Sequence, residues 1–113
     1  MQNNHINYLE FQASDLGTIK QFYQNAFGWK FTDYGPEYIA FSESGLDGGF
    51  FKSDAEVKTG VLVILYHDNL AQIQKKIIEA GGKISKDIYS FPGGRRFQFL
   101  DPAGNELAVW SDK

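Results

Sequence analysis

"DLGTIKQFYQNAFGWKF", residues 15–31, and "DNLAQIQKKIIEAGGKI", residues 68–84, are two copies of one pattern. Asp15 and Asp68 open the copies at an offset of 53 positions. Gly28 and Gly81 close the helical part at the same offset, and Lys30-Phe31 matches Lys83-Ile84. Three agreements at one offset mark an internal duplication. Leu16, Ile19, Phe22, Tyr23 and Ala26 fall at helical spacing in the first copy, as do Leu70, Ile73, Ile77 and Ala80 in the second. The two Asp side chains are placed to accept from free first-turn amides, and the two glycines suit left-handed C-terminal caps.

Strand patterns flank each helix. Ile6 to Gln12 and Val61 to Tyr66 precede the helices. Trp29–Tyr34, Glu37–Glu43 and Gly48–Lys52 follow the first, and Lys83–Tyr89, Arg95–Leu100 and Glu106–Ser111 follow the second. Turn residues such as Gly35-Pro36, Ser44-Gly45 and Asp101 to Gly104 separate them. Phe91 to Gly94 reads as an approach loop. The order β-α-β-β-β, written twice, predicts an α+β fold. One domain over residues 1–113 is expected, with module one at about 5–52, a polar linker at about 53–60 and module two at about 61–113.

The composition excludes several classes of protein. There is no cysteine, so no disulfide, thiolate nucleophile or cysteine-ligated metal can exist. A net charge of −3 presents no basic surface for nucleic acid. No apolar run is long enough to cross a bilayer, and the N-terminus lacks the basic start and apolar core of a signal peptide. A cytoplasmic protein with no nucleic acid or membrane partner is expected. Aromatic residues make up 16% of the chain, which suits strands and a pocket with flat apolar walls. Ser44 to Gly49 is glycine-rich but lacks the Lys-Ser/Thr of a phosphate loop, so it reads as a turn or bulge. No serine sits in a Gly-x-Ser-x-Gly elbow. Lys75 and Lys76 belong to the solvated face of the second helix.

Asp15-Leu16, Phe22-Tyr23 and Phe27-Gly28-Trp29 resemble the first-copy signature of the vicinal-oxygen-chelate superfamily. That group contains glyoxalase I, the bleomycin-resistance proteins and the extradiol dioxygenases. Asp68-x-Leu70, Gly81-Gly82 and Asp101-Pro102-Ala103-Gly104-Asn105 resemble its second-copy signature, and the likeness runs from about residue 6 to 111. The resemblance implies that the two curved mixed sheets pair to form a cup with the helices outside, and that chains of this size associate as homodimers. It also implies, in metal-dependent members, four ligands to a divalent ion. Those places hold Tyr8, Val61, Ala108 and the stretch Gly48 to Lys52, none of which supplies a His or carboxylate. No metal and no cofactor are therefore expected. His5 and His67, without carboxylates at matched spacing, make a poor ligand set and read as structural or solvated.

Strand alternation assigns side chains to the cup. With Leu9 and Phe11 toward the helices, Tyr8, Glu10 and Gln12 face the cup. By the same rule Tyr38 and Ser42, Arg96 and Gln98, and Glu106, Ala108 and Trp110 face it too. Such a set suits a small anionic or aromatic ligand, with Arg96 clamping an oxyanion and Tyr8, Gln12, Tyr38, Ser42, Gln98 and Trp110 completing the contacts. Alternatively Arg96 pairs with Glu10 or Glu106 across the sheet. Three functions stay open: a metal-independent small-molecule binder akin to the bleomycin-resistance group; a glyoxalase-related lyase or isomerase with Glu10 or Glu106 as general base; and a regulatory or partner-binding domain with a vestigial cup.

Overall fold

Both helices begin where a short polar side chain closes the first turn. In a computed structural model describing residues 2–3, 6–57 and 61–113, α1 (Leu16–Phe27) is capped by Asp15, whose carboxylate accepts from the Thr18 amide at 3.0 Å. Gly28 ends it at φ 74, as its lack of a β-carbon allows. The second helix departs from the expected cap. In α2 (Leu70–Glu79) the cap is Asn69, accepting from the Gln72 amide, while Asp68 lies 3.5 Å from His67. Asn and Asp cap equally well, so one step along the chain decided between them.

Eight strands complete two βαβββ modules in an α+β fold. The first has β1 (Leu9–Ala13), β2 (Lys30–Asp33), β3 (Tyr38–Ser42) and β4 (Gly48–Lys52). The second has β5 (Val63–Tyr66), β6 (Lys83–Phe91), β7 (Gly94–Leu100) and β8 (Glu106–Ser111). The sheets run β1-β4-β3-β2 and β5-β8-β7-β6, and neither closes on itself. β1 pairs parallel to β4 and β5 parallel to β8; the other pairings are antiparallel. Phe91 and Gly94 are register partners in a tight hairpin between β6 and β7, so the expected approach loop shrinks to the two-residue turn Pro92-Gly93.

The period of two sorts side chains between faces. Leu9, Phe11, Ile39, Phe41 and Phe50 lie toward the helices in the first sheet, as do Phe97, Phe99, Leu107 and Val109 in the second. They join α1 and α2 in one hydrophobic cluster that includes residues of both modules. Phe22 and Phe27 of α1 reach across the boundary to Phe99 of β7, with ring centroids 6.2 and 5.9 Å apart. Each buried ring of this kind contributes roughly 1.5–3 kcal/mol.

The Asp101–Asn105 turn fastens the modules together. Asp101 is buried and accepts from the Asn105 and Ala103 amides, each at 2.9 Å, and from the Asn105 side chain at 3.0 Å. Tyr23 of α1, itself fully buried, donates to the same carboxylate at 2.9 Å. Asn105 Nδ2 also donates to the Gln12 carbonyl of β1 at 3.0 Å. Among the described residues no buried side-chain polar atom lacks a partner.

Candidate functional site

The faces turned away from the helices carry the polar and aromatic side chains that strand alternation assigned to them. In the first sheet, the row through Glu10, Gly49, Ala40 and Thr32 lies beside the row through Gln12, Phe51 and Tyr38. In the second, Ile64, Ala108, Gln98 and Lys86 form one row, and Tyr66, Trp110, Arg96 and Tyr89 the next.

Tyr8, Tyr38 and Glu10 form a chain. The Tyr38 hydroxyl donates to Glu10 Oε2 at 3.1 Å and lies 2.6 Å from the Tyr8 hydroxyl. Partial burial, and then the hydrogen bonds to Tyr8 and Glu10, push the Tyr38 phenol well above its ordinary range. The ring crosses Gly49, where a β-carbon would overlap the phenol; Gly48 gives similar room to the Phe41 ring and the Leu9 carbonyl. The glycine-rich stretch expected to be a turn thus also starts β4, and its last two glycines let aromatic rings lie against the sheet.

Arg96 pairs with neither Glu10 nor Glu106. Its Nε donates to the Tyr89 hydroxyl, which in turn donates to Gln98 Oε1 at 3.1 Å. Lys86 lies over the same Tyr89 ring, 4.4 Å from its centroid. Trp110 meets Tyr66 edge-on at 5.3 Å. Glu106 accepts from the Ser85 hydroxyl at 2.7 Å. Gln12 anchors the chain after β4, its side-chain amide donating to the Ala55 and Glu56 carbonyls at 2.9 and 3.3 Å. Tyr66, Tyr89 and Ser85 were not picked out by sequence reasoning. Register shifts on either side of Lys86 interrupt the period in β6, so Tyr89 carried no legible facing signal.

Among the described residues, cavities adjoin these groups in three places. One of about 400 Å³ lies where the modules meet: Glu10 and Gln12 of β1, Phe51, Val57, Val61 and Val63 line it together with Asn105 and Glu106. A second, of about 410 Å³, is lined by Tyr8, Tyr34, Tyr38, Ser42 and Asp47, among others. The largest, about 830 Å³, opens between the end of α1, β1, β5 and α2, with Trp29, Phe41, Leu65, His67 and Lys76 in its wall. Lys76, read as part of a solvated face, is exposed yet borders this space.

The positions implied for a metal do not make a site. Tyr8 is committed to Tyr38, Val61 is 81% exposed, and Ala108 is fully buried between Ile64 and Gln98. Among the described residues, no group of three or more His, Cys, Asp and Glu could hold a metal ion. This donor set does not fit a four-ligand divalent centre. His5 lies outside the described residues. His67 Nδ1 accepts from the Asn69 amide at 2.9 Å.

Paired βαβββ modules, each with its sheet bare on one side, define a class of small α+β proteins. The chain belongs to the Glyoxalase/Bleomycin resistance protein/Dioxygenase superfamily, whose sequence profile it matches over residues 5–109. Solved structures share the fold. A glyoxalase/bleomycin resistance protein/dioxygenase family enzyme from Burkholderia phytofirmans PsJN superposes at TM-score 0.83 and 17% identity, covering 95% of this chain and 98% of its own. Lactoylglutathione lyase from Agrobacterium tumefaciens gives 0.72 at 18%, covering 98% and 96%. TnmS3, an antibiotic binding protein from Streptomyces sp. CB03234, gives 0.71 at 22%, covering 98% of each chain. No match is found among curated proteins. Among the described residues, no helix is long and apolar enough to cross a membrane.

Proposed function

We propose that this chain is a binding protein that takes a small molecule with a flat apolar part on its helix-free face, where the two modules meet. One observation carries the reading: Glu10 and Gln12 of module one and Glu106 of module two line a single cavity of about 400 Å³ with apolar walls from Phe51, Val57, Val61 and Val63. That volume lies within the roughly 300–1,000 Å³ of small-molecule pockets, and a few polar groups converging on apolar walls is their usual chemistry. Tyr8, Tyr38 and Ser42 extend the surface on the first sheet, and Gln98, Trp110 and Arg96 on the second. The likeness to the antibiotic binding protein TnmS3 supports a binding role on this fold. The reading includes a location in the cytoplasm and a homodimer, the dimer supported by the apolar surface that Val61, Ile64 and Tyr66 leave exposed beside the cavity. Sedimentation velocity checks the dimer.

A thermal-shift screen of small aromatic compounds, followed by amide chemical-shift mapping, tests the binding role. The expected result is a rise in melting temperature with shifts at Glu10, Gln12, Phe51 and Glu106. Failure of every compound to move these amides defeats the reading. The two carboxylates in the cavity also favour a second one, a lyase or isomerase using Glu10 or Glu106 as general base. Turnover lost in Glu10→Gln or Glu106→Gln at unchanged stability identifies it.

A further inference from the structure

The cavity at the module boundary is acidic and apolar, with Phe51 in its wall and no cation among its described lining residues. Glu10 and Glu106 arrive from different modules, and neither lies within salt-bridge distance of a cation: among the described residues Lys20 pairs with Asp33, and the His67 imidazole lies beside Asp68. Each carboxylate accepts from one neutral side-chain hydroxyl, Tyr38 for Glu10 and Ser85 for Glu106, through its Oε2. Two lone-pair-bearing oxygens, Glu10 Oε1 and Glu106 Oε1, keep acceptor capacity. The neighbouring cavity reached through the Tyr8–Tyr38–Glu10 chain repeats this character, with Tyr8, Tyr34 and Tyr38 beside Asp47 and again no Lys, Arg or His in its described wall. Of the cations on the second sheet's helix-free face, Arg96 and Lys86 are gathered against Tyr89, and Lys83, two strands from Glu106 in the same row, does not line the cavity. Arg96 shares its row with Trp110, four residues along β8 from Glu106 and so roughly 13 Å away at the usual rise.

We propose that the ligand of this cavity is an organic cation, an aryl- or alkylammonium, whose nitrogen sits between Glu10 and Glu106 and whose apolar part packs on Phe51, Val57 and Val63. Two carboxylates lining one cavity repel each other, and a monocation between them converts that repulsion into attraction. An ammonium group brings three donors, enough for both free carboxylate oxygens. The Phe51 ring in the wall adds the attraction of a ring face for positive charge. An oxyanion clamp would need Arg96 at this cavity, and Arg96 does not line it. The inference rests on the binding site proposed above and specifies its ligand class.

Three probes of one shape and different charge test it: benzylammonium, benzyl alcohol and benzoate, each titrated into the full chain and followed by amide chemical shifts. Benzylammonium is expected to shift Glu10, Gln12, Phe51 and Glu106, to bind about tenfold more weakly in Glu10→Gln and in Glu106→Gln, and to weaken as salt rises. Glu106→Gln keeps the test open if Glu10→Gln disturbs folding through Tyr38. Benzoate moving these amides while benzylammonium does not overturns the ligand class and leaves the cavity as the binding site. Equal affinity for benzylammonium and benzyl alcohol also overturns it, because charge then plays no part. Silence from all three probes at these amides overturns the class and the cavity together.

Discussion

The phenol of Tyr38 lies across Gly49, and it fits there because Gly49 has no β-carbon. That absence lets the hydroxyl reach Glu10, the register partner of Gly49 on β1, and meet Tyr8. Gly49→Ala should therefore push the ring off the sheet and break both hydrogen bonds, at a cost of about 1–3 kcal/mol, typical of overpacking. Denaturant unfolding measures the loss. A variant as stable as the parent, with Tyr38 still bonded to Glu10, shows that the glycine is not needed.

Three phenols resist ionisation by alkali. Burial first, and then Asp101, raises the Tyr23 phenol; burial and the bonds to Tyr8 and Glu10 raise Tyr38; the hydrogen bond to Asp112 leads in raising Tyr66. A raised folded value means that stability from the neutral phenol is present below the ordinary phenol range and lost as pH climbs through the folded value. Spectrophotometric titration should find these three ionising later than a free phenol at about pH 10. Tyr38→Phe should delete one late step; an unchanged late component removes Tyr38 from the set.

The Tyr23–Asp101 bond makes a second pH prediction. Burial raises the Asp101 carboxyl and outweighs the hydrogen bonds from Asn105, Tyr23 and Ala103 that lower it. A raised carboxyl favours the fold below the ordinary carboxylate range, and that contribution is lost as pH rises through the folded value. The Tyr23 hydroxyl offsets the loss by donating to the ionised form. Tyr23→Phe should cost roughly 1–3 kcal/mol at neutral pH and less near pH 4, about where a free carboxyl protonates. Equal destabilisation at both values rules out a charge-assisted bond.

Restoring a carboxylate at Ala108 should not restore a metal centre. Ala108 is fully buried in the row between Ile64 and Gln98. Ala108→Glu adds volume and a buried charge, for a penalty of about 3 kcal/mol or more. Nickel or zinc is expected to leave the melting temperature of this variant unchanged, because Tyr8 and Val61 complete no ligand set. A metal-dependent rise overturns that view.

The duplicated helix, the β-α-β-β-β order and the facing of Glu10, Gln12, Arg96, Gln98 and Glu106 were legible in the chain. Helical and strand periods are local, and a burial pattern of period two carries its own face assignment wherever register is unbroken. The cap of α2 slipped by one residue because Asp68 and Asn69 are equally competent. Tyr89 was hidden by the register shifts in β6. The Asp101–Asn105 turn was recognisable as a turn, but its tie to Tyr23 and Gln12 spans 78 and 93 residues, and no local pattern encodes a partner at that distance. Likewise the composition of Glu10 and Glu106 was plain, whereas their meeting in one cavity, with Arg96 held away by Tyr89, follows from how two separately folded sheets pack on one shared core. Local periodicity sets which face a residue takes; long-range packing sets which residues share a space.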